Sequence, residues 1–310
     1  MTPARAATLV ALAAAVALPW LLRAFGAEFY LSVASRIVVF AIAATSLNLL
    51  LGYGGMVSLG HAAFVGLGAY ASGVLLSEGV QSAGVHLLAT VGVVAVAALL
   101  IGAVSLRTRG VYFIMITLAF AQMLFYLANS IKGYGGDEGL TLRTRMLLPG
   151  GVDLRDADSC YFVALAVLAS TLLLLARFAA SRFGRAVQAL RDDEIRAEAL
   201  GLPTFACKLV VFVAAGVLAG IAGALSVNLQ GYVSPNVLHW TQSGTLLVMV
   251  ILGGVGTLWG GVAGAAVLLL LQELLAAQTE HWEFWIGWVL LAVVLFARRG
   301  LAGVFERRRA

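Results

Sequence analysis

Long apolar runs, set almost end to end, constrain this chain more than any other feature. The stretches 6–22, 31–51, 56–76, 85–106, 111–131, 159–176, 209–229, 255–276 and 284–297 consist mostly of Ala, Val, Leu, Ile, Phe and Gly. A membrane-crossing helix needs roughly 20 mostly apolar residues. The last run is short but extends to Trp282 at its edge. A further run, 244–252, is too short to cross alone and ends at Gly253-Gly254. Only 11% of the 310 residues are charged, where a soluble domain carries about 25%. That leaves too little polar material to cover one or two globular domains. Lipid is therefore the expected solvent, and the expected fold is an all-α, polytopic membrane helical bundle of about 9–10 spans, a single domain over 1–310.

The 35 glycines agree, because small residues let helix backbones approach where lipid supplies no hydrophobic drive. A net charge of +5 does not indicate nucleic acid, since the arginines sit in short clusters between apolar runs and read as topology signals. Cys160 and Cys207 lie near the ends of two different runs, so neither a disulfide framework nor a metal site is indicated. The first run ends in Pro19-Trp20 and Arg23 rather than a small-residue cleavage site, and reads as a retained first helix.

Basic residues set the expected orientation. Segment 177–208 holds Arg177, Arg182, Arg185, Arg191, Arg196 and Lys208; the tail holds Arg298, Arg299, Arg307, Arg308 and Arg309; Arg107 and Arg109 mark a third basic turn. Placing all three inside puts both termini in the cytoplasm and the loop 132–158 outside. Parity then requires 244–276 to enter and return, with 244–252 as a broken or re-entrant half. A weak internal echo accompanies this: Gly54-Gly55-Met56-Val57-Ser58-Leu59 resembles Gly253-Gly254-Val255-Gly256-Thr257-Leu258. Gly-interrupted segments in two halves of a transporter point to the substrate path, although six-residue Gly-rich matches also arise by chance.

Segment 184–202, GRAVQALRDDEIRAEALGL, lies between spans yet has helix-forming composition. Asp192 and Arg196 stand four apart and can pair on one face, and Gly201 followed by Pro203 is a helix stop. One surface helix with an apolar and a charged side suits docking into a groove on a partner protein; a solvated connector reads equally well.

This segment resembles the coupling-helix region of ABC importer permeases, whose Glu-Ala-Ala…Gly pattern is met here by Glu198-Ala199-Leu200-Gly201. Three more stretches resemble the LivM-type permeases of branched-chain amino acid importers. They are Ser46-Leu47-Asn48-Leu49-Leu50-Leu51-Gly52-Tyr53-Gly54-Gly55 with Ser58-Leu59-Gly60-His61-Ala62-Ala63-Phe64, then Arg109-Gly110-Val111-Tyr112-Phe113 with Thr117-Leu118-Ala119-Phe120-Ala121-Gln122, and Gly135-Gly136-Asp137-Glu138-Gly139-Leu140. Order and spacing agree over roughly residues 35–275. The first motif is shared with the sister LivH-type subunit; the other two favour LivM.

The resemblance implies a multi-pass permease of a bacterial inner membrane that pairs with a second, LivH-like permease chain. It implies two cytoplasmic ATPase subunits and a soluble substrate-binding protein, with branched-chain amino acids as the solute. No cofactor is expected on this chain, because ATP belongs to the partner subunits. In keeping, no G-x-x-x-x-G-K-[ST] loop is present, and neither Lys132 nor Lys208 follows a glycine. His61, His86, His239 and His281 lack metal-ligand spacing, and no catalytic constellation can be argued, so the chain does not read as an enzyme.

Expected coupling residues are Arg185, Arg191, Asp192, Asp193, Glu194, Arg196, Glu198 and Gly201. Expected translocation-path residues are Asn48, Gly54, Gly55, Ser58, His61, Phe64, Gln122, Gly253, Gly254 and Thr257. His61, among small residues at the head of a span, either meets substrate or bonds a nearby carbonyl. Asn48 and Gln122 read first as interhelical glue. The glycine pairs read as breaks whose freed backbone groups face the cavity rather than lipid. Half-helix N-termini at those breaks favour a substrate carboxylate, and Phe64, Val65 or Met249 could accept an aliphatic side chain. Asp137 and Glu138 read as a docking point for the binding protein or as a solvated turn. Glu273, near a span end, reads as a snorkelling residue. Urea or short-chain amides are alternative solutes. An ion-coupled secondary transporter is a less favoured rival, because paired acidic residues at mid-membrane are missing from the sequence.

Overall fold

Every long apolar run becomes a helix, because a backbone in lipid must satisfy its hydrogen bonds internally. The computed structural model describes residues 3–24, 26, 29–279, 281–296 and 300; the basic tail Arg298, Arg299, Arg307, Arg308 and Arg309 lies outside the described residues. In chain order the helices are α1 (Pro3–Ala24), α2 (Phe29–Asn48), α3 (His61–Ser77), α4 (Ala83–Ser105), α5 (Val111–Ser130) and α6 (Ala157–Ala180). There follow α7 (Arg182–Asp192), α8 (Glu194–Ala199), α9 (Thr204–Gln230), α10 (Trp240–Gly253), α11 (Gly260–Ala276) and α12 (Trp282–Phe296). Helix α2 runs on as a π-helical turn, Leu49–Tyr53. Among the described residues five helices are long and apolar enough to cross a membrane: α2 with its π-turn, α4, α5, α6 and α9.

Burial sorts these helices into core and rim. The most apolar window of α2 is 83% buried and that of α9 is 61% buried, against 28% for α4 and 17% for α5. The outer helices present Leu88, Val96, Leu100, Tyr112 and Met115 outward, as suits helices that face lipid or an apolar partner chain rather than water. Small residues set the closest crossings. Gly68 on α3 leaves no room for a Cβ against the Gly220 carbonyl of α9, and Gly264 on α11 is equally tight against Met249 O of α10. Gly261 brings α11 against Thr45 of α2.

The chain has two chemically different ends. At one, here the basic end, lie α7, α8, Arg107, Arg109 and the first turn of α9. At the other, the loop end, residues 132–156 fold back on the bundle. There β1 (Leu140–Thr141) pairs antiparallel with β2 (Tyr232–Val233), Leu140 opposite Val233. Leu142, Met146 and Leu154 form a small core with Ala69, Leu76, Val227 and Val233. Met146 N donates to Asn228 Oδ1 at 2.9 Å, and Thr144 Oγ1 donates to Leu76 O at 3.0 Å.

Between β2 and α10 the chain dips alongside α3. Leu238, at the end of a 3₁₀ turn (Pro235–Leu238), packs on Gly66, and Ser243 Oγ accepts from Ala62 N at 2.8 Å. The short run expected at 244–252 is thus longer, Trp240–Gly253, starting beside the middle of α3. At 14 residues it is about 21 Å long by its rise, short of the ~30 Å hydrocarbon thickness.

The segment expected as one surface helix, 184–202, is two. Asp193 adopts an extended backbone (φ −157°, ψ 101°) and its side chain accepts from Arg196 N at 3.0 Å, capping α8 and ending α7. A short polar side chain that bonds its own downstream N–H competes with helix continuation. The expected Asp192–Arg196 pair is replaced accordingly: Arg191 pairs with Asp192, and Arg196 with Asp193.

Candidate functional site

At the basic end two helix breaks face each other. The π-turn after α2 runs into Gly54 and Gly55, the latter at φ 69°; α10 stops at Gly253, followed by Gly254 at φ 117° and Gly256 at φ 76°. Asn48, fully buried, joins them. Its Nδ2 donates to Thr257 O at 2.7 Å, and its Oδ1 accepts from Gly256 N at 2.8 Å. A side-chain amide has both a donor and an acceptor, so one residue satisfies two backbone groups that the second break sets free. Gly52 leaves no room for a Cβ against Gly256. The turn that leads into the first glycine pair therefore meets the segment after the second, and Asn48 acts there as glue.

The segment at the basic end reaches this junction. Arg191, in the last turn of α7, donates from Nη1 to Gly52 O at 2.7 Å, and its stem packs on Gly55. Its Nε and Nη2 are held by Asp192 Oδ1 at 3.0 and 2.8 Å. Glu194, the first residue of α8, lies between Lys208 of α9 (2.7 Å) and Arg109 before α5 (3.4 Å). Glu198 Oε1 accepts from Thr204 Oγ1 at 3.2 Å, and Gly201 at φ 80° ends the segment. Arg185 is exposed on α7.

The remaining expected path residues divide. His61 is fully buried at the head of α3, its Nε2 2.8 Å from Ser46 Oγ, while Nδ1 has no hydrogen-bond partner among the described residues. Ser58 Oγ accepts from Gly60 N at 3.2 Å. Phe64 is core, edge-on to Phe212 at 5.4 Å, and Met249 is fully buried. Gln122 sits half-buried on α5, away from the junction. The first turn of α3 offers little to an anion, since Ala62 N is taken by Ser243 Oγ and Ala63 N by Gly60 O. Asp137 and Glu138 are exposed on the folded loop, where Tyr232 Oη donates to Glu138 O.

Toward the loop end lies a cavity of about 730 Å³. Val39, Phe40, Ala43, Ala62, Val65 and Leu246 give it apolar wall; Ser226, Gln230, Ser234, Asn236 and Gln242 give polar wall; Arg36 and Glu273 are its charged residues. Val65 is the expected wall residue that does line it. Glu273, expected as a snorkelling residue, lines this cavity, because packing of α11 on α2 decides which way that face turns. Sequence reasoning passed over Arg36. The available signal was an arginine within an apolar run, where ionisable residues tend to be functional.

Helix breaks bonded to one another at the basic end and a polar-walled cavity within a polytopic apolar bundle fit a membrane permease, a class in which irregular backbone faces protein or a cavity rather than lipid. Residues 29–297 match the family described as branched-chain amino acid transport system / permease component, and the chain belongs to that family. It is 29% identical over 293 residues to the high-affinity branched-chain amino acid transport system permease protein LivM of Salmonella typhimurium (strain LT2), covering 87% of this chain and 69% of the relative. The same identity and coverage hold for LivM of Escherichia coli (strain K12). The permease protein LivH of the latter organism is 29% identical over 141 residues, 45% of this chain and 44% of LivH. The chain is thus an integral membrane transport component and not an enzyme.

Proposed function

We propose that this chain is the LivM-like permease subunit of an ATP-driven importer of aliphatic amino acids, set in a bacterial inner membrane with both termini in the cytoplasm. On this reading the basic end faces inward and the folded loop outward, so 132–158 is periplasmic and 177–208 is the cytoplasmic coupling loop. A LivH-like chain completes the translocation path. A soluble binding protein delivers solute at the loop end, with Asp137 and Glu138 at the docking surface. Two ATPase subunits engage α7 and α8; this chain itself binds no cofactor.

The observation that carries the reading is the bond from Arg191 to Gly52 O. It gives a partner protein that moves α7 a direct grip on the junction of both helix breaks. ATP acts by favouring one of two arrangements of that junction, and it can shift the balance only by its different affinity for the two. Similarity to LivM over most of the chain supports the aliphatic amino acid as solute.

Uptake by the complex reconstituted with its ATPase and binding-protein partners tests this, with leucine, isoleucine, valine, acetamide and urea offered in parallel. Aliphatic amino acid uptake is expected. Uptake of urea or acetamide alone would move the chain to a different solute class, and uptake driven by an ion gradient without ATP would remove it from this mechanism. Replacing Arg191, Asp193 and Glu198 together is expected to abolish uptake and weaken co-purification of the ATPase while the permease still inserts; normal uptake by that variant refutes the role given to α7 and α8.

A further inference from the structure

The charged residues in the cavity wall call for an explanation that packing does not supply. Arg36 lies seven residues into α2, about 10 Å from its loop end by helical rise. Its Cζ sits 5.8 Å from the ring centroid of Phe40, the residue one turn further along the helix. Glu273 lies three residues from the other end of its own helix, α11, on the same cavity. Neither is in an ion pair among the described residues. Ionisable groups in such segments are costly and normally find a counter-charge.

Their relative height follows from the packing of α2 on α11. Gly261 lies against Thr45. Arg36 is nine residues from Thr45 and Glu273 twelve from Gly261, both toward the loop end, so they sit about 13.5 and about 18 Å above that contact. The two charges are therefore offset by about one helical turn on neighbouring helices of opposite direction. Below them the cavity is apolar at Val39, Ala43, Val65 and Leu246. Its volume, about 730 Å³, falls within the ~300–1,000 Å³ common for small-molecule sites.

We infer that Arg36 and Glu273 are the specificity-determining pair of a zwitterion site in this cavity: Arg36 holds the α-carboxylate, Glu273 the α-ammonium, and the apolar floor the aliphatic side chain. Guanidinium–carboxylate pairing is directional and strong in a poorly hydrated site. An uncharged amide or urea leaves both charges uncompensated and is rejected. The inference rests on the amino acid importer reading above and adds the residues that read the two charges.

Saturation-transfer NMR on the assembled complex in lipid nanodiscs, with the binding protein left out, tests it separately from uptake. The probes are leucine, leucinamide (no carboxylate) and 4-methylpentanoate (no amine). Wild type is expected to bind leucine in preference to both analogues. Arg36→Gln should weaken leucine and 4-methylpentanoate by at least about tenfold and spare leucinamide; Glu273→Gln should weaken leucine and leucinamide similarly and spare 4-methylpentanoate. Arg36→Lys, which keeps the charge, is expected to retain part of the binding and guards against a folding defect. Unchanged leucine binding in both glutamine variants, equal loss of all three probes, or no leucine signal from a wild-type complex that imports leucine overturns the inference and leaves the importer reading standing. A wild-type complex that imports no amino acid overturns both.

Discussion

Arg191 Nη1 lies 2.7 Å from the carbonyl oxygen of Gly52, bridging a helix at the basic end to the turn where α2 loses its regular winding. The carbonyls at a helix C-terminus carry partial negative charge and lack intrahelical donors. A guanidinium fits that need, and Asp192 accepts from its other edge. Displacing α7 by an ångström or two must therefore either break this bond or move the junction.

Arg191→Ala is expected to cut ATP-driven uptake by about tenfold or more, the effect of losing about 1.4 kcal/mol of coupling, while ATP hydrolysis by the complex continues. Arg191→Lys should recover little, since an ammonium cannot serve Gly52 O and Asp192 together in the fork geometry. Parallel uptake and hydrolysis assays in proteoliposomes read this. Loss of both activities in step would point to failed assembly instead.

Asn48→Leu leaves Gly256 N and Thr257 O, both half-buried, without their partners and puts an apolar side chain in the fully buried place of Asn48. Each orphaned group costs about 1–3 kcal/mol. The purified variant should melt several degrees below wild type, and Asn48→Asp should be no rescue, because it accepts from Gly256 N but repels Thr257 O. A wild-type melting temperature for both would mean the breaks are not joined through this residue.

Glycines should sort by the space around them rather than by helix membership. Gly68→Ala drives a methyl into the Gly220 carbonyl where α3 crosses α9; overpacking of that kind costs about 1–3 kcal/mol or more. Gly92→Ala on α4 meets nothing within 4 Å and should be tolerated. The pair can be compared by yield of monodisperse protein after extraction.

Glu194 couples to Lys208 more than to Arg109, because the first pair is mostly buried (side chains 23% and 19% exposed) and the second is solvent-facing at Arg109 (66%). A double-mutant cycle on thermal stability should return the larger coupling for Glu194–Lys208, and raising salt should erase the Arg109 contribution first.

Much of the architecture was legible in the residues. The apolar runs placed the apolar helices to within about five residues at each end, and the glycine pairs marked both breaks. Asn48 as glue followed from its being a lone amide in an apolar run. The division of 184–202 was not foreseen, although its signal was present: Asp193 stands three residues before Arg196 and can cap the N–H there. The cavity was not legible either. Phe64 and Met249 were read as wall, yet they are packed into the core, while Arg36 and Glu273 line the cavity.

Local chemistry in the chain was enough to determine that it lives in lipid, where its apolar helices run, where the glycine pairs break them, and which end carries the basic residues, because each of these depends on neighbours in sequence. Tertiary structure alone decided which face of each helix turns inward, that the two breaks meet through Asn48, that Arg191 reaches Gly52, and that Arg36 and Glu273 share one cavity. The physical reason is that a helix apolar on all sides bears no stripe to distinguish lipid from protein. Its facing is settled instead by close glycine crossings and a few long-range polar contacts, which pair residues as far apart as Asn48 and Thr257.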